Sequence, residues 1–472
     1  MKKKNKLTEG SIIQSILNLS VPIIFANLLQ TAYQLTDTFW VGKLGSNAIA
    51  SVSISFPVIF LLVSFGGGLA MAGTILISQY KGQENKKAID HITAQTYLMV
   101  VIISIVIAVS GYFLSSVFIR LMGAEPEVYT NAVSYMKISF IGTIFMFAFM
   151  VFQSLMRGVG DVKIPMFIVL GTVILNLALD PLFIFGYGFV PAFGVAGAAV
   201  ATITTQAISA IIGLALLLKG KHQIKLHLTD LKPDGALLIK MFRIGFPASI
   251  EQSTRALAMT VMTFLVTSFG TLTLAAFGIG SRILSFVIVP ALGLSMATST
   301  LVGQNIGAGK INRAEQITRL SSLMGFIALS FVGVLFFIFA KQIVGIFIPG
   351  EKATIESGAV FVRTMALTFG FIGVQNALNG AFRGSGNTLI TMSLSVLSLW
   401  VLRFPLAYIL SKHTSLGDQG LWIAYPVTNV ITAVFTFIWF KTGSWKSKNL
   451  TEEQELSEKI THETIIEEGA ST

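Results

Sequence analysis

Asn176-Leu-Ala-Leu-Asp180-Pro181 sits between the apolar runs Ile164 to Leu175 and Leu182 to Phe185, so an acid and a helix breaker fall inside one apolar stretch. A charge at the centre of a bilayer costs about 3 kcal/mol on insertion scales unless it faces protein, water or a bound ion. Proline removes a backbone donor and frees a carbonyl one turn earlier, which lipid tolerates only where neighbouring groups or cavity water satisfy it. Both residues therefore point to a membrane-spanning helix that lines a polar cavity.

The rest of the chain supports that reading. Of 472 residues, 53% are hydrophobic and 12% charged, against about 25% charged in soluble domains. Mean hydropathy is +0.77, and it belongs to the whole chain because apolar runs of about 20 residues recur from end to end. Twelve spans are expected, near 15–40, 49–78, 92–117, 132–156, 164–187, 194–218, 243–269, 274–303, 318–342, 358–382, 388–411 and 419–441. The fold class is thus an all-α polytopic membrane protein; the ten-residue alternating strands of a membrane barrel are missing. Lys2-Lys3-Lys4 and the apolar run behind them imitate a signal peptide, but the run continues past Pro22 to Trp40 with no small-residue cleavage site, as a retained first helix would.

The net charge of +11 does not speak for nucleic acid, because the basic residues crowd alternate connections. Lys2, Lys3, Lys4 and Lys6 precede the first span, and Lys81, Lys86 and Lys87 follow the second. Arg157 and Lys163 follow the fourth, Lys219 to Arg243 the sixth, and Lys310, Arg313 and Arg319 the eighth. Positive charge marks the cytoplasmic face, so both termini are expected there, in a plasma (bacterial inner) membrane. Without cysteine there is no disulfide, thiolate metal site or cysteine nucleophile. No His-Glu-x-x-His, Gly-x-Ser-x-Gly or phosphate-loop pattern occurs, so enzyme activity has no support.

An internal repeat organises the spans. Arg157-Gly-Val-Gly160-Asp161 returns as Arg383-Gly-Ser-Gly386-Asn387, 226 residues on; Gln79-Tyr-Lys-Gly82 returns as Gln304-Asn-Ile-Gly307, and Pro22 as Pro247, each 225 on. Six spans per half is an even number, so two six-helix bundles in the same orientation are expected, related by an axis along the membrane normal. The expected divisions are 1–218 and 243–441 for the lobes, 219–242 for a hinge-like connection between them, and 442–472 for an acidic tail.

Asp37 is a second acid at similar depth in the first span. Tyr33 and Asp37 are four apart, as are Asn176 and Asp180, so each pair shares a helix face; Gln30 and Gln34 extend the polar stripe of the first span. Two carboxylates converging in a low-dielectric site hold a proton between them or neutralise a cation. The competing reading, that each acid bonds a neighbouring Asn, Thr or backbone group as packing glue, leaves the intramembrane cost without a return. In the second half Met262 and the neighbourhood of Phe404 stand opposite these acids. Glu251 and Arg255 form either a self-neutralising i,i+4 pair or a substrate-facing site, and Arg282 and Arg403 pair with Glu251 or with backbone carbonyls, or snorkel towards an interface. The 37 Phe and 16 Met residues supply apolar walls for helix packing and for a cavity.

These motifs, from the Pro22 lead-in and Asp37-Thr-Phe through Asn176–Pro181, Gly197-Ala-Ala-Val-Ala-Thr202 and the two Arg-Gly-x-Gly turns to Gly303-Gln304-Asn-Ile-Gly307, resemble the multidrug and toxic compound extrusion (MATE) family. The resemblance implies a twelve-helix exporter that exchanges protons or sodium for organic, often cationic and amphipathic compounds by alternating access. In the branch with its coupling site in the first lobe, the family's acids fall on Asp37 and Asp180, supported by Tyr33, Asn176 and Thr202. Asp37, Asp180, Asn176 and Thr202 are then the candidate sodium ligands; Gln30, Gln34, Glu251 and Arg255 line the substrate cavity, and Pro22, Pro181 and Pro247 are the flexing points. A monomer in contact with lipid and without a cofactor is expected. The span that holds Gln375 and Asn376 lacks the second-lobe acid of another branch. The competing readings are a flippase for a lipid-linked precursor, which needs a strongly basic cavity, and a passive channel or receptor.

Overall fold

The computed structural model describes residues 6–188, 190–446 and 450–451. Lys2, Lys3, Lys4 and most of the acidic tail lie outside the described residues. Twelve long helical segments follow one another: α1 Ile12–Gly42, α2 Ser46–Gly82, α3 Lys86–Leu121, α4 Pro126–Val159, α5 Lys163–Phe185, α6 Val195–Lys219, α7 Gly235–Thr267, α8 Thr271–Gly307, α9 Ile311–Ile338, a two-part α10 (Lys352–Ala366 and Phe369–Gly384), α11 Thr388–Lys412 and α12 Asp418–Lys441. Ten of them are long and apolar enough to cross a membrane, and α10 joins them as a pair bent by 50°. The remaining one, α7, matches them in length but carries Lys240, Arg243, Glu251, Gln252 and Arg255. Among the described residues no named strand occurs.

Local sequence explains the departures from straight spans. The segment expected to run unbroken over 358–382 bends between Ala366 and Phe369. In α11, Thr388–Val396 passes through a π turn, Leu397–Arg403, into Phe404–Lys412. Pro405 has no N–H to give the preceding turn, and the wider i→i+5 winding accommodates the ring. Gly160, with φ 87°, ends α4 in the left-handed region, where glycine carries no Cβ penalty.

The two halves pack alike. Within residues 12–219, α2 lies on α4, α3 on α4, α4 on α6, α1 on α5 and α5 on α6. The second half repeats each pairing: α8 on α10, α9 on α10, α10 on α12, α7 on α11 and α11 on α12. Between the halves, α2 meets α7, α1 meets α8, and α2 meets α8. Glycines permit this close approach: a Cβ at Gly68 would strike Ser249, and one at Gly293 would strike Ile24.

The repeated motifs meet at the end of the molecule that carries Leu7 and Leu450, and they do so reciprocally. Gln79 donates from Nε2 to the Gly384 carbonyl at 3.0 Å, and Gln304 from Nε2 to the Gly158 carbonyl at 2.9 Å. A Cβ at Gly82 would strike the Gln304 carbonyl, and one at Gly307 the Gln79 carbonyl. Each half thus inserts its glutamine into the other half's Arg-Gly-x-Gly turn.

The connection expected to serve as a hinge is fastened to the first bundle. Ile224 and Leu226 are buried in its core. Gln95 on α3 donates to the carbonyls of Asp230 and Lys232 at 2.7 and 2.6 Å and accepts from the Asp234 N–H at 3.0 Å. Asp90 accepts from the Lys225 N–H at 2.7 Å. Three His–Asp contacts add to this strap: His222 to Asp161, His227 to Asp90 and His91 to Asp234.

Candidate functional site

Helices α1 and α5 lie side by side, which brings the two intramembrane acids together. Asn176 and Asp180 are both fully buried, and the Asn176 amide donates to Asp180 Oδ1 at 2.8 Å. That bond is the one expected from their i,i+4 spacing. Asp37 is within electrostatic reach of Asp180, of Tyr33 and of Tyr135 on α4. The Tyr33 hydroxyl lies 2.6 Å from the Thr205 hydroxyl on α6 and also within hydrogen-bonding reach of Thr202. The small residues of Gly197–Ala201 account for the position of α6, because a Cβ at Gly197 would strike the Phe183 carbonyl of α5. Asp37, Asp180, Asn176, Tyr33 and Thr202 therefore form one cluster.

The cluster has an excess of acceptors. Asp37 Oδ1, Asp180 Oδ2 and Asn176 Oδ1 are buried without a hydrogen-bond partner among the described residues. Orphaned buried acceptors are costly, and a site that gathers three of them, two on carboxylates, suits a proton or a small cation. One turn past each acid the helices turn apolar: Val41 and Ile184, each 1% exposed, pack with Tyr135, Val195, Ala198 and Ala199 into a largely apolar cap. Pro181 lies beside Asp180 in α5, and Pro22 is buried in α1.

Thr205 and Tyr135 belong to this cluster and were missed in the sequence, where neither hydroxyl disturbs an apolar run. Thr205 is one turn beyond Thr202 on the same face, which is the signal that finds it. Gln30 and Gln34 are exposed along α1.

Glu251 lies apart, in the second bundle, and is 1% exposed. Its Oε1 accepts from Arg255 at 2.8 Å and from Arg383 at 2.5 Å. The i,i+4 pair is present, but its second partner is Arg383 of the repeated turn, not Arg282 or Arg403. Arg403 bonds Thr428 at 3.2 Å and Asn429 at 2.7 Å, with its guanidinium 4.6 Å from the Tyr425 ring centre.

The family model described as MatE matches residues 22–182 and 247–409, one match in each half of the repeat. A probable multidrug resistance protein of Bacillus subtilis, YoeA, is 29% identical over 94% of this chain and 97% of its own length. A probable multidrug resistance protein NorM of Thermotoga maritima is 27% identical over 95% of this chain and 96% of its own. Among solved structures, an outward-facing multidrug resistance MATE transporter superposes with a TM-score of 0.88 at 25% identity, covering 95% of this chain and all of that one. With the MatE match repeated on both six-helix bundles, the chain belongs to the MATE family of multi-pass membrane transporters.

Proposed function

We propose that the chain is a secondary active exporter that exchanges protons or sodium for organic, cationic amphipathic compounds. The observation that carries this is the cluster on α1 and α5, where three buried oxygens of Asp37, Asp180 and Asn176 lack a partner. A proton or sodium ion supplies what they lack; Thr202 adds an oxygen for sodium, and oxygen donors of these types serve either ion. Loading the site removes negative charge, lets α1 and α5 adjust at Pro22 and Pro181, and weakens the hold on a cationic compound. The same carboxylates then serve ion and compound in turn, which is the requirement of exchange.

The face carrying Leu7 and Leu450 is cytoplasmic on the positive-inside reading. The reciprocal Gln79 and Gln304 contacts then close the inner side. Alternating access is a rocking of the bundles across the α1/α2–α7/α8 seam. Pro247 lies within that seam, while the strapped 220–234 connection travels with the first bundle. The relatives' names speak for drug export more than for a lipid-linked precursor. In vesicles of purified protein with proton and sodium gradients imposed separately, one gradient drives a cationic dye uphill, and dissipating it stops the flux. Downhill flux alone, indifferent to both gradients, would mean a channel.

A further inference from the structure

The second bundle holds four interacting charged side chains that exchange of a cation does not use. Glu251 and Arg255 come from α7, Arg383 from the end of α10 and Arg403 from α11. Glu251 Oε1 is shared by Arg255 and Arg383, and the Ser395 hydroxyl donates to the same oxygen at 3.3 Å. Arg383 is 6% exposed, also donates to Ser295 at 3.3 Å, and has a buried Nε without a partner. Arg403 meets no carboxylate among the described residues; it leans on Thr428, Asn429 and the face of Tyr425. Helices α7 and α11 run alongside in register, Thr388 donating to the Ile244 carbonyl and Ser395 to Glu251, and this register sets Arg403 one turn beyond Arg255. Three cations against one anion leave this cluster at +2, whereas the Asp37 and Asp180 cluster of the first bundle contains two acids and no base.

A surplus of positive charge at membrane depth persists where something negative or strongly polar meets it. Arginine offers five donors in a planar fork that matches carboxylate and phosphate oxygens. Arg403 directs Nε and Nη2 to Thr428 and Asn429, and Nη1 makes no hydrogen bond among the described residues. Arg255 directs only Nη2 to Glu251, and a third of its side chain is exposed. It stands two turns along α7 from the Gly68–Ser249 contact between the bundles. The two arginines thus stand one turn apart on neighbouring helices, and Arg255, a third exposed, is the open side of the pair.

We propose that Arg255 and Arg403 form an oxyanion subsite that receives a carboxylate or phosphate group of the transported compound. This rests on the export reading and narrows it: compounds with an anionic group beside the cationic one suit two acids in one bundle and two unmatched arginines in the other. Glu251 and Arg383 position Arg255 and do not touch the ligand.

The test compares a xanthene dye bearing a free carboxylate with its ethyl ester, both titrated by fluorescence polarisation against the purified full-length protein. The acid is expected to bind about tenfold more tightly than the ester, the worth of one charge-assisted contact. Arg255→Met and Arg403→Met bring the acid-to-ester ratio towards one, while Arg403→Lys, which keeps the charge, retains most of the preference. A monodisperse profile on size exclusion shows that each variant has folded, and the lysine variant carries the test where a methionine variant has not. Equal binding of acid and ester by the parent overturns the subsite. Inorganic phosphate binding as tightly as the acid dye assigns the arginines to a free ion and overturns the substrate assignment. Gradient-driven transport of the ester with no preference for the acid overturns this inference alone. Preference for the acid with no gradient-driven flux of either dye overturns the export reading alone.

Discussion

Asp180 announces itself in the sequence because a carboxylate in an apolar run has a cost that must be met, and the same physics exposes Asp37. Asn176 and Tyr33 follow from helical spacing. Thr205 and Tyr135 do not, because a hydroxyl in an apolar helix can bond its own backbone and raises no alarm; their role depends on which helices become neighbours. Arg383 was equally hidden: it ends a repeated turn, where arginine reads as a membrane-edge charge, and its partner Glu251 is 132 residues away. The pairing makes a prediction at this scale. Glu251→Gln leaves two arginines without their shared counter-charge and should cost about 3–5 kcal/mol, as breaking a buried pair from one side does. The loss is read as a lowered melting temperature in detergent, and Glu251→Gln combined with Arg383→Met should recover part of it. An unchanged melting temperature for the single variant would remove the pair from the structural account.

Helix existence was legible from the apolar runs, and most of the twelve expected spans appear longer than expected, whereas those expected to reach 187, 269 and 342 stop at Phe185, Thr267 and Ile338. The bend in α10 and the π turn in α11 were not legible, since both depend on how one helix meets its neighbours. The Gln-x-x-Gly and Arg-Gly-x-Gly repeats gave the two-fold relation but not their purpose, which is to hold each other across the seam. Gly82→Val should pry that seam apart, since overpacking costs about 1–3 kcal/mol, enough for about tenfold or more in an opening equilibrium. The chain has no cysteine, so Ser78→Cys reports the change directly: an impermeant thiol reagent applied from the side of Leu7 and Leu450 should label it faster when Gly82→Val is present. Equal rates would leave the seam out of gating.

The strap between the bundles makes a prediction in pH. Asp234 caps α7 by accepting from the Leu237 N–H at 3.1 Å, with His91 3.2 Å away. These two contacts hold its carboxyl below the usual carboxylate range. A depressed folded value means that the stabilisation is complete above the unfolded value of about 3.9 and is lost as pH falls through the lower folded one. Hydrogen exchange at the start of α7 should therefore speed up in acid below that range more than in an Asp234→Ala variant, whose exchange is already fast at neutral pH. Identical acid profiles for the two proteins would contradict the cap.

At the scale of the whole molecule, two bundles of like architecture hold interior clusters of opposite charge: acids without a base on α1 and α5, arginines in excess on α7, α10 and α11. The repeat in the sequence implies like halves, and the absence of acids opposite Asp37 and Asp180 already breaks the likeness. The excess of arginine emerged only when folding brought Arg383 and Arg403 to the side of α7. In the proposed exchange, one bundle takes up an ion and the seam lets both bundles rock. The central claim, that Asp37 and Asp180 carry the coupling ion, is tested by following proton or sodium movement together with dye in vesicles of purified protein. The parent should move ion and dye in fixed proportion, and Asp37→Asn and Asp180→Asn, inserted in the membrane at parental levels, should each lose the ion movement and the uphill dye flux. Either variant exchanging ion for dye at the parental rate would contradict the account.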